Sequence, residues 1–123
     1  MKVGWLSRHP PLPAQINELR RLFGHVELAW DARTFGAVTE LRERVLRYDE
    51  VVIVAPLSML AKLTETGIHP LWAHMEPCTE VYAGAHPESA VAAPRGRSLR
   101  FARFKRLTGV NFEFEEVEGV QTV

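Results

Sequence analysis

Apolar and polar positions along the chain switch between two periods. Val3, Gly4, Trp5 and Leu6 are apolar on both sides, which suits a strand covered on both faces of a parallel sheet. Pro10, Pro11 and Pro13 lack amide donors and force a loop, and Pro13 also fits the first turn of a helix. Ile16, Leu19, Leu22 and Phe23 then recur at helical spacing, with Asn17, Glu18, Arg20 and Arg21 on the other face. Gly24 stands where a left-handed C-terminal cap is expected. Alternation returns over residues 25–30, with Val26, Leu28 and Trp30 on one side. A second helix has Phe35, Val38, Leu41 and Val45 as its stripe, widened by Leu46. Its Glu40, Arg42, Glu43, Arg44 and Arg47 face water. Either Asp31 or Thr34 can cap it.

Residues 51–55 are the most apolar and β-branched run, so both faces are buried and this is the central strand. Pro56 ends it, Ser58 enters the next turn, and Leu57, Leu60, Ala61 and Leu63 line a third helix that Gly67 stops. A fourth strand is expected at 70–74, with His69 and His74 on its opposite faces and Glu76 and Pro77 after it.

The order β-α-β-α-β-α-β over residues 1–76 predicts an α/β protein. It is expected as a small, Rossmann-like, three-layer domain with a short, mainly parallel sheet. Residues 77–98, rich in Ala, Pro and Gly, are expected to form an irregular loop. Residues 99–118 are expected to add a C-terminal β-hairpin turning at Leu107-Thr108-Gly109. In that register Phe104 faces Phe112, Arg103 faces Glu113 and Arg100 faces Glu116.

Composition narrows the picture. A length of 123 residues, 46% apolar and 24% charged, fits a single globular domain. Formal net charge is zero, so no global field recruits duplex nucleic acid or an anionic membrane, and any anion site must be local. The basic run Arg95, Arg97, Arg100, Arg103, Lys105, Arg106 is expected to be neutralised by Glu113, Glu115, Glu116 and Glu118 across the hairpin. Cys78 is the only cysteine, which excludes a disulfide framework and a cysteine-based metal cluster. No window approaches the roughly 18 apolar residues of a membrane span, so a soluble, cytoplasmic protein is expected.

In open α/β sheets ligands bind beyond the carboxyl ends of the strands, where strand order reverses. Those ends carry Ser7-Arg8-His9, Asp31-Arg33-Thr34, Pro56-Leu57-Ser58 and His74 with Glu76. Arg8 offers a planar fork for phosphate or carboxylate, Ser7 a hydroxyl, and His9 a ring that takes and gives a proton near neutrality. The plainer alternative has Ser7 capping a turn, Arg8 paired with a surface acid and His9 solvated. Asp31, Arg33 and Thr34 form a second wall, with capping and ion pairing favoured over ligand contact. Ser58, at a helix start, suits an anion. No metal motif, GxGxxG, P-loop or nucleophile elbow is present, and no cofactor is expected.

Residues 3–10 (Val-Gly-Trp-Leu-Ser-Arg-His-Pro), with residues 49–57 (Asp-Glu-Val-Val-Ile-Val-Ala-Pro-Leu) before a helix, resemble small Rossmann-like proteins found beside type III CRISPR systems. These are relatives of the CRISPR-associated Rossmann fold (CARF), and some are ring nucleases that bind and open cyclic oligoadenylates. The likeness covers residues 1–76. It departs at Pro11-Leu12, where that pattern has Gly-Ala, and at residues 54–57, where Gly-Thr-Leu-Pro becomes Val-Ala-Pro-Leu. The aspartate-rich tail of the family is also missing. The resemblance implies a homodimer whose strand-end edges form one pocket for a cyclic RNA messenger, opened without a metal. Arg8 and His9 would then be catalytic. Ser7, Arg8 and Ser58 would hold phosphates, with Asp31, Arg33 and Thr34 as further ligand contacts. The alternative is a non-enzymatic module of a phage or defence locus, sensing a ligand or docking a protein.

Overall fold

A computed structural model describes residues 1–34, 36–117 and 119. The elements are β1 (Lys2–Leu6), α1 (Pro13–Phe23), β2 (Glu27–Asp31), α2 (Val38–Val45), β3 (Glu50–Ile53), α3 (Leu57–Glu65), β4 (Leu71–Cys78), α4 (Glu80–Ala85), β5 (Ala90–Ala93) and β6 (Arg97–Arg106). The strands form one six-stranded sheet in the order β2-β1-β3-β4-β6-β5. β2, β1, β3 and β4 run parallel, while β6 is antiparallel to both β4 and β5. The α/β class and a mostly parallel sheet are therefore as expected.

The two-sided apolar strands do what their period of two requires. Val3 and Trp5 of β1 and Val52 of β3 join Leu19 of α1 and Leu71 of β4 in a core on one face. Leu6, Val51 and Ile53 point to the other face, where Leu41 and Val45 of α2 and Leu60 and Leu63 of α3 cover them. Gly4 lies on this second side because the Tyr48 ring occupies the place of a side chain. A Cβ at Gly4 would lie 2.5 Å from Tyr48 Cδ2. The chain leaves β1 for β2 on one side and returns past it to β3 on the other, so its crossover helices lie on opposite faces.

Several local expectations are corrected. Trp30 is half exposed rather than core, and Leu22, Leu46, Val54 and Leu57 are exposed too. Gly24 has a positive φ of 78° but ψ of −130°, so it stops α1 without a left-handed helical cap. β3 ends at Ile53, two residues early. α2 starts from an extended Ala37 with no side-chain cap, so neither Asp31 nor Thr34 caps it; Phe35 lies outside the described residues. Arg44 is buried, not solvated. β4 is longer than expected because an antiparallel partner supports it through Cys78, and His69 precedes it.

The 77–98 segment is not an irregular loop. Thr79 accepts the Tyr82 amide and caps α4, and β5 follows. A C-terminal antiparallel hairpin exists, but it is β5–β6, turning through Pro94–Gly96. Residues 107–117 carry no strand. Phe104 therefore faces Ala73, Arg103 faces His74 and Arg100 faces Glu76, not Phe112, Glu113 and Glu116. Glu118 lies outside the described residues. No helix among the described residues is long and apolar enough to cross a membrane.

Candidate functional site

The turn after β1 is held by its backbone, leaving its charged side chains outside. The Ser7 amide donates to the Asp31 carbonyl at 3.2 Å, which extends the β1–β2 ladder by one step. The Ser7 hydroxyl accepts the His9 amide at 3.2 Å and closes a small turn. Two indoles then brace it: Trp30 Nε1 donates to the Ser7 carbonyl and Trp5 Nε1 to the His9 carbonyl, each at 2.9 Å. Arg8 is thus flanked by two fixed carbonyls while its own side chain is exposed. The guanidinium has no hydrogen-bond or ion-pair partner among the described residues.

The second wall is built differently. Asp31, at the end of β2, is buried and receives Arg33 through Nε to Oδ1 at 2.9 Å and Nη2 to Oδ2 at 2.7 Å. Arg44 reaches the same carboxylate from α2, with Nη2 2.8 Å from Oδ2. It also donates to the Thr34 and Arg33 carbonyls, both at 3.2 Å. The hydrogen bonds from Arg33, and then those and the charge of Arg44, hold the Asp31 carboxyl far below the usual carboxylate range despite its burial. Arg44, whose side chain is 5% exposed, ties the β2–α2 loop to the sheet.

Between these walls and the start of α3 lies a cleft of about 440 Å³. Ser7, Arg8, His9, Arg33 and Thr34 form its polar side; Val54, Ala55, Pro56 and Met59 form its apolar side. It opens beyond the carboxyl ends of β1 and β3, from which the chain departs to opposite faces of the sheet. Comparison with family models, curated proteins and solved structures found no match.

The cleft brings together five of the residues singled out in the sequence. Asp31 and Ser58 are outside its lining, Asp31 inside its arginine pair and Ser58 exposed on the first turn of α3. His74 is elsewhere: its Nε2 is 3.5 Å from Glu76, it lies against Trp72, and its Nδ1 is buried without a hydrogen bond. No group of three or more His, Cys, Asp or Glu side chains among the described residues is placed to hold a metal ion.

Two residues that brace the walls of the cleft escape a sequence reading. Trp30 looks like core because it alternates with Val26 and Leu28. Arg44 looks solvated, although its spacing of three from Leu41 and its place beside Val45 put it on the buried stripe. In chemical terms, two guanidinium groups, two hydroxyls and an imidazole face an apolar wall, with no carboxylate in the lining. Arg33 is paired with Asp31, so the unpaired positive charge of the cleft lining is that of Arg8.

Proposed function

We propose that this is a Rossmann-like protein that binds a phosphate-bearing, nucleotide-like ligand in the cleft beyond β1 and β3. The observation that carries the reading is Arg8, an exposed guanidinium without a protein partner, held over a cleft that no acid lines. Arg8 takes a phosphate oxygen pair, Thr34 and the Ser7 hydroxyl add polar contacts, and Arg33 contributes charge while remaining paired with Asp31. The apolar wall of Val54, Ala55, Pro56 and Met59 takes a flat base or sugar face.

The resemblance carried by residues 3–10 and 49–57 supports a narrower reading of the ligand, as a cyclic oligoadenylate bound by a homodimer through the strand-end edges. Ring opening then needs the ribose 2′-oxygen to bond to the adjacent phosphorus while the bond from phosphorus to the next 5′-oxygen breaks. The products are a 2′,3′-cyclic phosphate and a 5′-hydroxyl. His9 carries the proton from one oxygen to the other, and Arg8 meets the charge on the phosphoryl oxygens. A second reading, a ligand sensor without turnover, is favoured by Asp31 being committed to two arginines. His9 is then the one proton carrier in the lining.

Calorimetric titration with cyclic tetra- and hexa-adenylate and with inorganic phosphate, in chelator, tests this, with chromatography of the products. Saturable binding that Arg8→Ala weakens by about tenfold or more is expected. Linear products that His9→Ala abolishes support ring opening, and binding without products supports the sensor. If neither oligoadenylate nor phosphate binds, or if Arg8→Ala binds as well as the parent, the ligand reading fails.

A further inference from the structure

Charge is segregated along the last third of the chain. Residues 89–112 contain Arg95, Arg97, Arg100, Arg103, Lys105 and Arg106 and no acid. Residues 113–123 contain Glu113, Glu115, Glu116 and Glu118 and no cation. Each set is only partly paired or unpaired among the described residues. On β6, Arg100 and Arg106 pair with Glu76 and Glu50, while Arg103 approaches Glu76 only to 3.9 Å. Arg97 and Lys105 have no ion-pair partner among the described residues, nor have Glu113, Glu115 and Glu116.

The acidic segment also has the pattern of a strand that lacks a sheet. Phe112 and Phe114 alternate with Glu113 and Glu115, and their rings stack with centroids 6.2 Å apart, as side chains two apart on an extended backbone do. Phe114 and Val117 are 89% and 92% exposed. Such a ribbon of aromatics is a pairing surface left open to water.

β6 has a matching vacancy. β5 pairs with it only from Arg97 to Arg100, and Phe101 adds one further bond to the Ser89 carbonyl. From Arg103 to Arg106 the strand is paired with β4, and among the described residues no strand pairs with its other edge. The chain's own tail is led away from that edge. The Leu107 amide bonds to Pro70 on the β4 side, and Leu107 and Val110 pack into the core beneath α2 and α3. Charge complementarity therefore selects the tail of another copy.

We propose that residues 111–117 of one copy add as a strand to the open edge of β6 in a second copy, reciprocally, closing a two-fold dimer. Glu113 and Glu115, on one face of the added strand, meet Arg103 and Lys105, and the Phe112–Phe114 face is covered. The contact lies where β6 ends beside Leu71, at the end of the sheet opposite the cleft, so it is distinct from the strand-end pairing that the resemblance implies and stands or falls independently of ligand binding.

Sedimentation velocity of the full chain across a concentration series, at low and high salt, tests the pairing. A two-chain species that salt weakens is expected. The tail variant Glu113→Lys/Glu115→Lys and the strand variant Arg103→Glu/Lys105→Glu should each raise the dimer Kd by about tenfold or more. An equal mixture of the two should restore it, because both reciprocal contacts are then complementary. Phe114→Ser, a single exposed change, should weaken association without altering the far-ultraviolet circular dichroism. A monomer at every concentration, a dimer indifferent to these variants, or no recovery on mixing overturns the proposal.

Discussion

Two neighbouring parallel strands end in similar polar turns, Ser7-Arg8-His9 after β1 and Asp31-Ala32-Arg33-Thr34 after β2, yet the structure uses them oppositely. In the second, the carboxylate is buried and both arginines near it are occupied, so its charge is directed inward. In the first, backbone groups and two indoles carry the fixing, and the arginine is left unoccupied in the lining. Polar residues at a strand end therefore do not announce a binding site by type alone. What distinguishes the two turns is whether the charge has already been met within the protein.

The largest effects should come from breaking the occupied turn. Arg44→Ala strips a buried carboxylate of its buried partner and frees two loop carbonyls, and Asp31→Asn removes the nearest countercharge of Arg44, whose remaining acid, Glu40, is 3.8 Å away. Each is expected to cost about 3–5 kcal/mol by urea unfolding. Arg33→Ala, at the exposed end of the same carboxylate, should cost about 1 kcal/mol or less. The contrast has a pH signature. Asp31 has a folded value well below its unfolded value of about 3.9, so its contribution is complete above that value. It is lost as the pH falls towards the folded value. The gap in urea midpoint between the parent and Asp31→Asn should therefore be constant near neutrality and narrow below about pH 4. A gap that does not change with pH would show that Asp31 is not the titrating group.

The legibility of these regions follows from the range of their determinants. The first four strands and three helices were readable because apolar residues recur with periods of two and 3.6, and Pro10, Pro11, Pro13 and Pro56 mark their limits. Arg44 was hidden because a charged residue on an amphipathic helix defaults to solvent. Only its position between Leu41 and Val45 argued otherwise. α4 was masked by its Ala-Gly composition, although Thr79 three residues before Tyr82 is a readable cap. The expected hairpin at 99–118 shows a deeper difficulty. Residues 99–106 pair equally well on paper with 110–116, and the aromatic and charge matches favour that local partner. β4, more than twenty residues away, took the place instead, because its Leu71, Ala73 and Met75 complete the apolar face that Phe104 and Phe101 share. The cleft was legible at Ser7, Arg8 and His9. Its second wall was legible as a location and as a place for ion pairing, which Asp31 and Arg33 make, but nothing in the spacing shows that Asp31 faces inward.

A middle-sized effect tests whether the β1 turn is as independent of its neighbour as the comparison makes it. Trp30 belongs to β2 but holds the Ser7 carbonyl. Trp30→Phe keeps the ring and removes the donor, for an expected loss of about 1 kcal/mol. If the brace positions Arg8, ligand affinity should fall with it, though by less than removing Arg8. Unchanged affinity with reduced stability would make Trp30 a purely structural prop.

The smallest effect on stability should come from Arg8, and that smallness is the point. An exposed side chain without a protein partner contributes little to folding, so Arg8→Ala should shift unfolding by no more than about 0.5 kcal/mol. In the bound state it would form charge-assisted hydrogen bonds to an anion, worth about 1.5–3 kcal/mol, so affinity should drop by roughly tenfold or more. Arg8→Lys keeps the charge but loses the planar fork, and should recover only part of that loss. Near-neutral stability with collapsed affinity separates this turn from the one after β2, where stability is lost first. If Arg8→Ala proved as destabilising as Arg44→Ala, the guanidinium would have a partner within the fold, and the two turns would be alike after all.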